Sequence, residues 1–274
     1  VKKRIYTCRG YRFEHEKGIK RKLLILNDKL VCSLSHHVIC ISNSVRQLGL
    51  NNAIFSDSKS IVINKGSSNG VNLDLFKRDK INQEEKEAFI LKNNLKGKFV
   101  FGFVGRVIDR KGVNELYAVF NELSKKYPEM VLLMIGPYEK SQLKDPEIQF
   151  NYENHKNIIS LGKINQEEIP FYMTLMDVFV LPAWWEGFGN VLIQAAAVNV
   201  PVISTTGTGT VDAVEDGFNG VLIPVADELA LKNAMLQLYS DKELREKYGN
   251  NGTEWVKNFD RFLIWNEMDK IYKS

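Results

Sequence analysis

Residues 181–205, LPAWWEGFGNVLIQAAAVNVPVIST, limit the possible folds more than any other part of this 274-residue chain. A β-like run, VFVLP, enters a turn that carries Glu186, Gly187, Phe188 and Gly189. An apolar, helix-like run over 190–198 follows, and PVIST closes the stretch as a second β-like run. Strand, glycine turn, helix and strand in that order make a βαβ unit. The turn leaves unpaired main-chain N–H groups at a helix N-terminus, which is a cradle for an anion. Its glycines let a ligand approach the main chain closely. Glu186, just before that cradle, is badly placed for a phosphate and well placed to grip a hydroxyl-rich group attached to one. The local chemistry therefore suggests an anion with a polyol beside it.

The rest of the chain repeats the alternation. A short strand at 5–7 runs into the loop CRGYRFEHEKG, and 19–34 reads as a helix with Ile19, Leu23, Leu26, Leu30 and Leu34 on one face. HHVICIS and SIVIN are strands, with a short helix starting near 44–50 between them, and KGSSNG is a turn and linker signal. Three strands are too few for a complete doubly wound sheet, so this portion reads as the tail of one. A polar helix near 83–94 precedes a second unit. There FVFGFVG, VLLMIG, IISLG, VFVLP, PVIST and GVLIP alternate with helix-like segments, including 114–126 with Leu116, Val119, Phe120 and Leu123 inward. Apolar strands of this kind require a parallel sheet covered on both faces. The segment 228–274 reads as two or three helices, with Trp255, Phe259, Phe262, Trp265 and Ile271 as docking surface.

The apolar content of 44% and charged content of 26% are those of a globular protein, and no apolar run approaches a bilayer span. Three cysteines without metal-like spacing fit a reducing cytoplasm. Charge is concentrated at one end: residues 1–30 hold ten Lys or Arg against three acids. Such a segment either binds phosphates or an anionic surface or is a solvated basic face, and its thin aromatic content argues against nucleic acid.

The stretch around Glu186 also resembles the donor-site signature of retaining glycosyltransferases of family 4, the fold of which is GT-B. That signature is a Glu, seven residues and a second Glu; here Glu186 matches the first and Gln194 stands at the second. FGFVGRVIDRKG resembles the first strand and phosphate loop of such a donor domain. INKGSSNGVNLDLF resembles the interdomain linker, and IYTCRGYRFE a late strand of the acceptor domain. The resemblance implies an α/β GT-B arrangement: a C-terminal Rossmann-like donor domain with a parallel sheet, plus the truncated tail of an N-terminal Rossmann-like domain. The expected divisions are 1–72 for the acceptor-side part and linker, 73–258 for the donor domain, and 259–274 for a helix crossing back. On the order of a hundred residues of a full acceptor domain would precede Val1.

By the same resemblance Arg106 and Lys111 stabilise a departing nucleotide diphosphate, Glu186 hydrogen-bonds sugar hydroxyls, and the N–H groups of Phe188, Gly189 and Asn190 hold the diphosphate beside Gly187. Chemically, Arg supplies a bidentate fork and Lys a point charge just past a strand end, among Gly102, Gly105 and Gly112. The alternative is a solvated loop paired to Asp109. Gln194 can still bind a ribose diol through its amide, at a cost near 1 kcal/mol relative to Glu. Gly136 and the LGKI stretch ending at Ile164 would flank the base, uracil on family frequency. Arg9 stands where relatives carry His, and reads either as a clamp for a phosphate or acceptor acid or as a surface residue. Trp184 and Trp185 are candidates for the sugar pocket, and His36 and His37 read as capping or packing residues.

The reading is a metal-independent glycosyltransferase without a cofactor. It moves a hexosyl group from a nucleotide-diphosphate sugar to a saccharide or lipid-linked acceptor in polysaccharide synthesis. It would be cytoplasmic, with the basic 2–29 segment at the membrane surface. A nucleotide-sugar-binding module without turnover is the alternative, favoured by Gln194. A dinucleotide oxidoreductase is disfavoured, because neither unit opens on G-x-G-x-x-G with an acid about twenty residues on.

Overall fold

Apolar runs without polar alternation are satisfied by strands covered on both faces. The computed structural model, which describes residues 3–273, shows two parallel sheets built this way. In the first, β1 (Ile5–Cys8), β2 (His37–Cys40) and β3 (Ser60–Val62) pair in sequence order, connected by α1 (Gly18–Leu34) and α2 (Asn43–Asn51). After α3 (Gln83–Lys92) the second unit runs β4 (Phe99–Val104), α4 (Val113–Lys126), β5 (Met130–Ile135), α5 (Ile148–Asn154) and β6 (Ile158–Ser160). It continues through α6 (Ile169–Met173), β7 (Val178–Leu181), α7 (Asn190–Ala197), β8 (Val202–Thr205), α8 (Thr210–Ala213) and β9 (Gly220–Ile223). Then α9 (Glu228–Ser240), α10 (Lys242–Trp255) and α11 (Arg261–Lys273) follow. Every residue of β4 and β5 is buried, as is every residue of β7 and β8.

The second sheet has the order β6-β5-β4-β7-β8-β9, with all pairings parallel. The chain winds outward from β4 to β6, returns to place β7 on the other side of β4, and winds outward again. This is the doubly wound order, and the crevice where the winding reverses is the usual ligand site of such sheets. The loops after β4 and β7 flank that crevice.

Two helices use faces other than those the periodicity suggests. On α1 the stripe Ile19, Leu23, Leu26, Leu30 and Leu34 points outward, each residue exposed by more than half, while Cys32, Leu24 and Ile25 supply the packing. The stripe is real, but the three-stranded sheet meets the opposite side of the helix. On α11, Phe262 and Trp265 are half exposed; the anchor is Ile264, fully buried against Ile39 and Ile63, with Met268 and Ile271 beside it. Trp255 and Phe259 belong to the large core instead. Thus α11 leaves the second unit and packs on the first sheet.

The units meet at the carboxyl ends of their strands. Asp212, on α8, accepts from the main-chain N–H groups of Asn43 (3.0 Å) and Ser44 (3.1 Å) at the start of α2. Ser44 Oγ accepts from Gly209 N at 2.7 Å, and Thr208 donates to Glu14. Ser67 Oγ donates to Asn190 Oδ1 at 2.8 Å. Val71 bridges to the start of α11 through bonds to Phe259 O (2.7 Å) and from Arg261 N (3.0 Å).

Candidate active site

The loop after β4 and the turn after β7 are drawn together at the switch crevice. Gly112, with φ 70°, sits where a Cβ would lie 2.0 Å from Pro182 O, so only glycine admits this approach. Trp184 N donates to Arg110 O at 2.8 Å, and Glu186 N to Thr208 O at 2.8 Å, which fixes the turn on both sides.

This framework brings Lys111 and Glu186 into direct contact. Lys111 is 7% exposed, and its ammonium pairs with Glu186 Oε1. Arg110 Nη1 reaches the same oxygen at 3.4 Å and the Trp185 carbonyl at 3.2 Å. Both cations therefore hold Oε1, while Oε2 has no partner among the described residues and Glu186 lines the cleft between the two units. Burial lowers the Lys111 amine from its ordinary value, and the Glu186 carboxylate opposes that shift. Asp109 takes no part in the pairing: it is buried and accepts from Asn114 Nδ2 (3.0 Å) and Lys144 N (2.9 Å).

Behind Glu186 the anion cradle is formed. Gly189, with φ 84°, caps α7, and the N–H groups of Phe188 and Gly189 have no acceptor among the described residues. The Phe188 ring is buried against Phe259, with centroids 5.2 Å apart, so this residue offers its main chain alone. Gly105 lies beside Lys111, where a Cβ would be 3.8 Å from Nζ, and Gly136 abuts the Gly105 carbonyl. Ile164 packs on the edge of the large core.

The first unit forms the facing wall. A Cβ at Gly187 would lie 2.4 Å from Arg9 O, and Gly10 lies against Gly187 Cα. Between the walls is a cleft of about 580 Å³ lined by Arg9, Tyr11, Arg12, Arg110, Trp185 and Glu186, among others. Trp185 also stacks on His15 of the first unit, with centroids 3.5 Å apart, which joins the two walls.

Two candidate residues stand apart from the Lys111–Glu186 contact. Arg106 pairs with Glu139, with Nη1 3.1 Å from both carboxylate oxygens, while its charge adds to burial in lowering the Lys111 amine; the guanidinium on Glu186 is that of Arg110. Gln194, on α7, lines a second cavity of about 290 Å³ with Asn69, Asn72, Gln166, Arg261 and Trp265. Of the tryptophan pair, Trp185 lines the cleft while Trp184 donates its indole N–H to Glu115 at 2.8 Å. His36 caps locally, with Nδ1 accepting from Arg4 N at 2.9 Å. Arg110, Arg12 and His15 do not stand out in the sequence; the basic run DRK next to Gly112 is the visible signal for the first.

A doubly wound sheet with a Lys–Glu pair and an open helix start at its switch crevice, facing a second parallel α/β unit, defines the GT-B class of transferase. The solved HepE structure from Anabaena superposes with a TM-score of 0.84 over 98% of this chain and 71% of that one, at 18% identity. Residues 84–255 match the family model described as glycosyl transferases group 1. The chain belongs to that family and is a glycosyltransferase. It is 35% identical to the Staphylococcus aureus capsular polysaccharide biosynthesis glycosyltransferase CapM, over 99% of this chain and 70% of the relative. It is 28% identical to an Escherichia coli UDP-Gal:alpha-D-GlcNAc-diphosphoundecaprenol alpha-1,3-galactosyltransferase, over 97% of this chain and 67% of the relative.

Proposed function

We propose that the protein transfers a hexosyl group, with retained anomeric configuration, from a UDP-sugar to a saccharide or lipid-linked acceptor in surface-polysaccharide synthesis. The carrying observation is the Lys111–Glu186 pair beside the open start of α7 at the switch crevice. The diphosphate lies on Lys111 and the N–H groups of Phe188, Gly189 and Asn190, and Glu186 Oε2 accepts from the sugar hydroxyls. As the acceptor oxygen bonds to the anomeric carbon, the bond from that carbon to the diphosphate breaks. The electron pair leaves with the diphosphate, which takes the acceptor proton. Lys111 and the helix start stabilise that charge, so the scheme needs no metal ion and no cofactor. The names of the capsular and diphosphoundecaprenol relatives, and the solved HepE complex with UDP and glucose, support this choice of donor and acceptor. On this reading residues 1–72 serve the acceptor side, 73–258 the donor, and 259–274 tie the two.

Calorimetric titration with UDP and UDP-sugars tests the donor site. Lys111→Ala should weaken UDP and UDP-sugar alike, and Glu186→Ala the sugar form alone. No binding of either ligand at millimolar concentration defeats the proposal.

No helix among the described residues is long and apolar enough to cross a membrane. Peripheral attachment on the cytoplasmic face is part of the proposal, supported by the outward stripe of α1 with Lys20 and Lys22 exposed beside it. Sedimentation with anionic vesicles checks it: no co-sedimentation refutes attachment, and unchanged binding by Leu23→Gln with Leu30→Gln refutes the part given to the stripe.

A further inference from the structure

The cleft holds more positive charge than the donor requires. On the proposed reading, Lys111 and the start of α7 on the second unit accommodate the diphosphate, and Glu186 meets the sugar beside it. Arg9 and Arg12 lie on the opposite wall, contributed by the loop after β1, and both are exposed into the cleft. Neither guanidinium has a hydrogen-bond or ion-pair partner among the described residues. The acids that line the same cleft are already engaged: Glu16 pairs with Lys20 at 2.5 Å, and Glu186 with Lys111 and Arg110. Arg110 uses Nη1 for Glu186 and Trp185, which leaves Nε and Nη2 for a ligand.

Three guanidinium groups thus converge on one space from two walls, with no carboxylate left to neutralise the pair on the first unit. Arginine forks match planar or tetrahedral oxyanions, and like charges gathered without a counterion favour an anionic ligand over a neutral one. The space borders Glu186 and Gly187, and its unpaired arginines belong to the first unit while the diphosphate cradle belongs to the second, so we assign its ligand as the second substrate. The Arg9 carbonyl abuts Gly187, the residue after Glu186, so the arginine-bearing loop meets the second unit beside the proposed sugar position.

We infer that Arg9, Arg12 and Arg110 form an acceptor subsite for an anionic saccharide, one whose phosphate or carboxylate lies next to the sugar that receives the transferred group. The inference rests on the proposed donor site and assigns the substrate class of the facing wall. Arg9 and Arg12 are specificity residues here: they select the acceptor and leave the donor untouched.

Titration in phosphate-free buffer tests this, using glucose 1-phosphate, methyl glucuronide and neutral methyl glucoside, with UDP titrated separately. Both anionic probes, or the one that carries the matching group, should bind at least about tenfold more tightly than methyl glucoside. Preference for glucose 1-phosphate assigns a sugar phosphate, and preference for methyl glucuronide a uronic acid. The double variant Arg9→Gln, Arg12→Gln should bring the anionic probes down to the neutral one and leave UDP affinity and the unfolding midpoint unchanged. Equal affinity for all three probes overturns the inference. So does a double variant that loses UDP binding in proportion, because the arginines would then serve the donor. If UDP fails to bind the unsubstituted protein while the anionic preference persists, the donor reading falls and the anion subsite stands.

Discussion

Gly187→Ala tests whether the cleft depends on contact between its walls. The new Cβ would lie 2.4 Å from Arg9 O and 2.7 Å from Ile41 Cδ1. Ile41 can turn its side chain aside, but the Arg9 carbonyl is main chain and cannot. An ordinary carbon–oxygen contact is about 3.3 Å, so the walls must part by about 1 Å. Were they held rigidly, the overpacking would cost about 1–3 kcal/mol. If they part, less of that cost appears as lost stability and more as misalignment of acceptor and donor, where 1 Å is worth about a hundredfold in rate. Urea unfolding should therefore show a loss of at most about 3 kcal/mol. Turnover should fall about a hundredfold. UDP affinity should change by less than about threefold, because Lys111 and α7 belong to one wall. The Trp185–His15 stack spans the same gap at 3.5 Å, so the emission of Trp185, isolated by subtraction of Trp185→Phe, should change as the rings separate. A variant with undisturbed Trp185 emission and normal turnover would refute the claim that wall contact sets the reaction geometry.

The buried Lys111 amine, shifted below its ordinary 10.5, loses its proton at lower pH than a free lysine, while diphosphate binding requires the ammonium. UDP affinity should fall as pH rises toward 10.5, with net proton uptake on binding measurable in buffers of different ionisation enthalpy; no uptake would contradict the assignment. Between the lowered folded value and the unfolded one, the unfolded chain holds more protons. The contribution of Lys111 alone to stability therefore rises with pH in that window. Gln194→Glu should strengthen UDP binding by about tenfold, because a ribose diol would then meet a charged acceptor; unchanged affinity would place Gln194 outside the nucleotide site. Ile264→Ala, which removes the buried anchor of α11, should cost about 2–5 kcal/mol in denaturant unfolding. A loss under about 1 kcal/mol would mean that α11 does not hold the two units together.

What the sequence shows and what it conceals divide along the range of the interactions. Glu186 and Lys111 are legible because each sits at a fixed offset from an apolar strand, and a strand end in a parallel sheet is a place, not only a residue. The strand order that sets β4 beside β7 is not legible, since every βα unit reads alike locally. Arg106 and Arg110 show the same limit on a smaller scale. Both follow β4 and both press on the Lys111 charge, but only Arg110 reaches Glu186, because Glu139, 33 residues away, engages Arg106. The stripe on α1 is legible as a stripe, but periodicity does not say which face the sheet will meet.

The resting ion pair carries a consequence for ligand preference. Lys111 is nearly dry, so drawing its ammonium toward a diphosphate weakens its contact with Glu186 and leaves that carboxylate less well compensated. UDP alone offers Glu186 nothing in return. A UDP-sugar presents hydroxyl donors to Oε2, and charge-assisted bonds of that kind restore the compensation. The Arg110 contact to Oε1 limits the loss in both cases without distinguishing them. On the proposed donor site, the pair therefore works as a discriminator that holds a UDP-sugar better than UDP. Once the sugar has left, the uncompensated Glu186 carboxylate draws the Lys111 ammonium back, which loosens the hold on the diphosphate and favours its release.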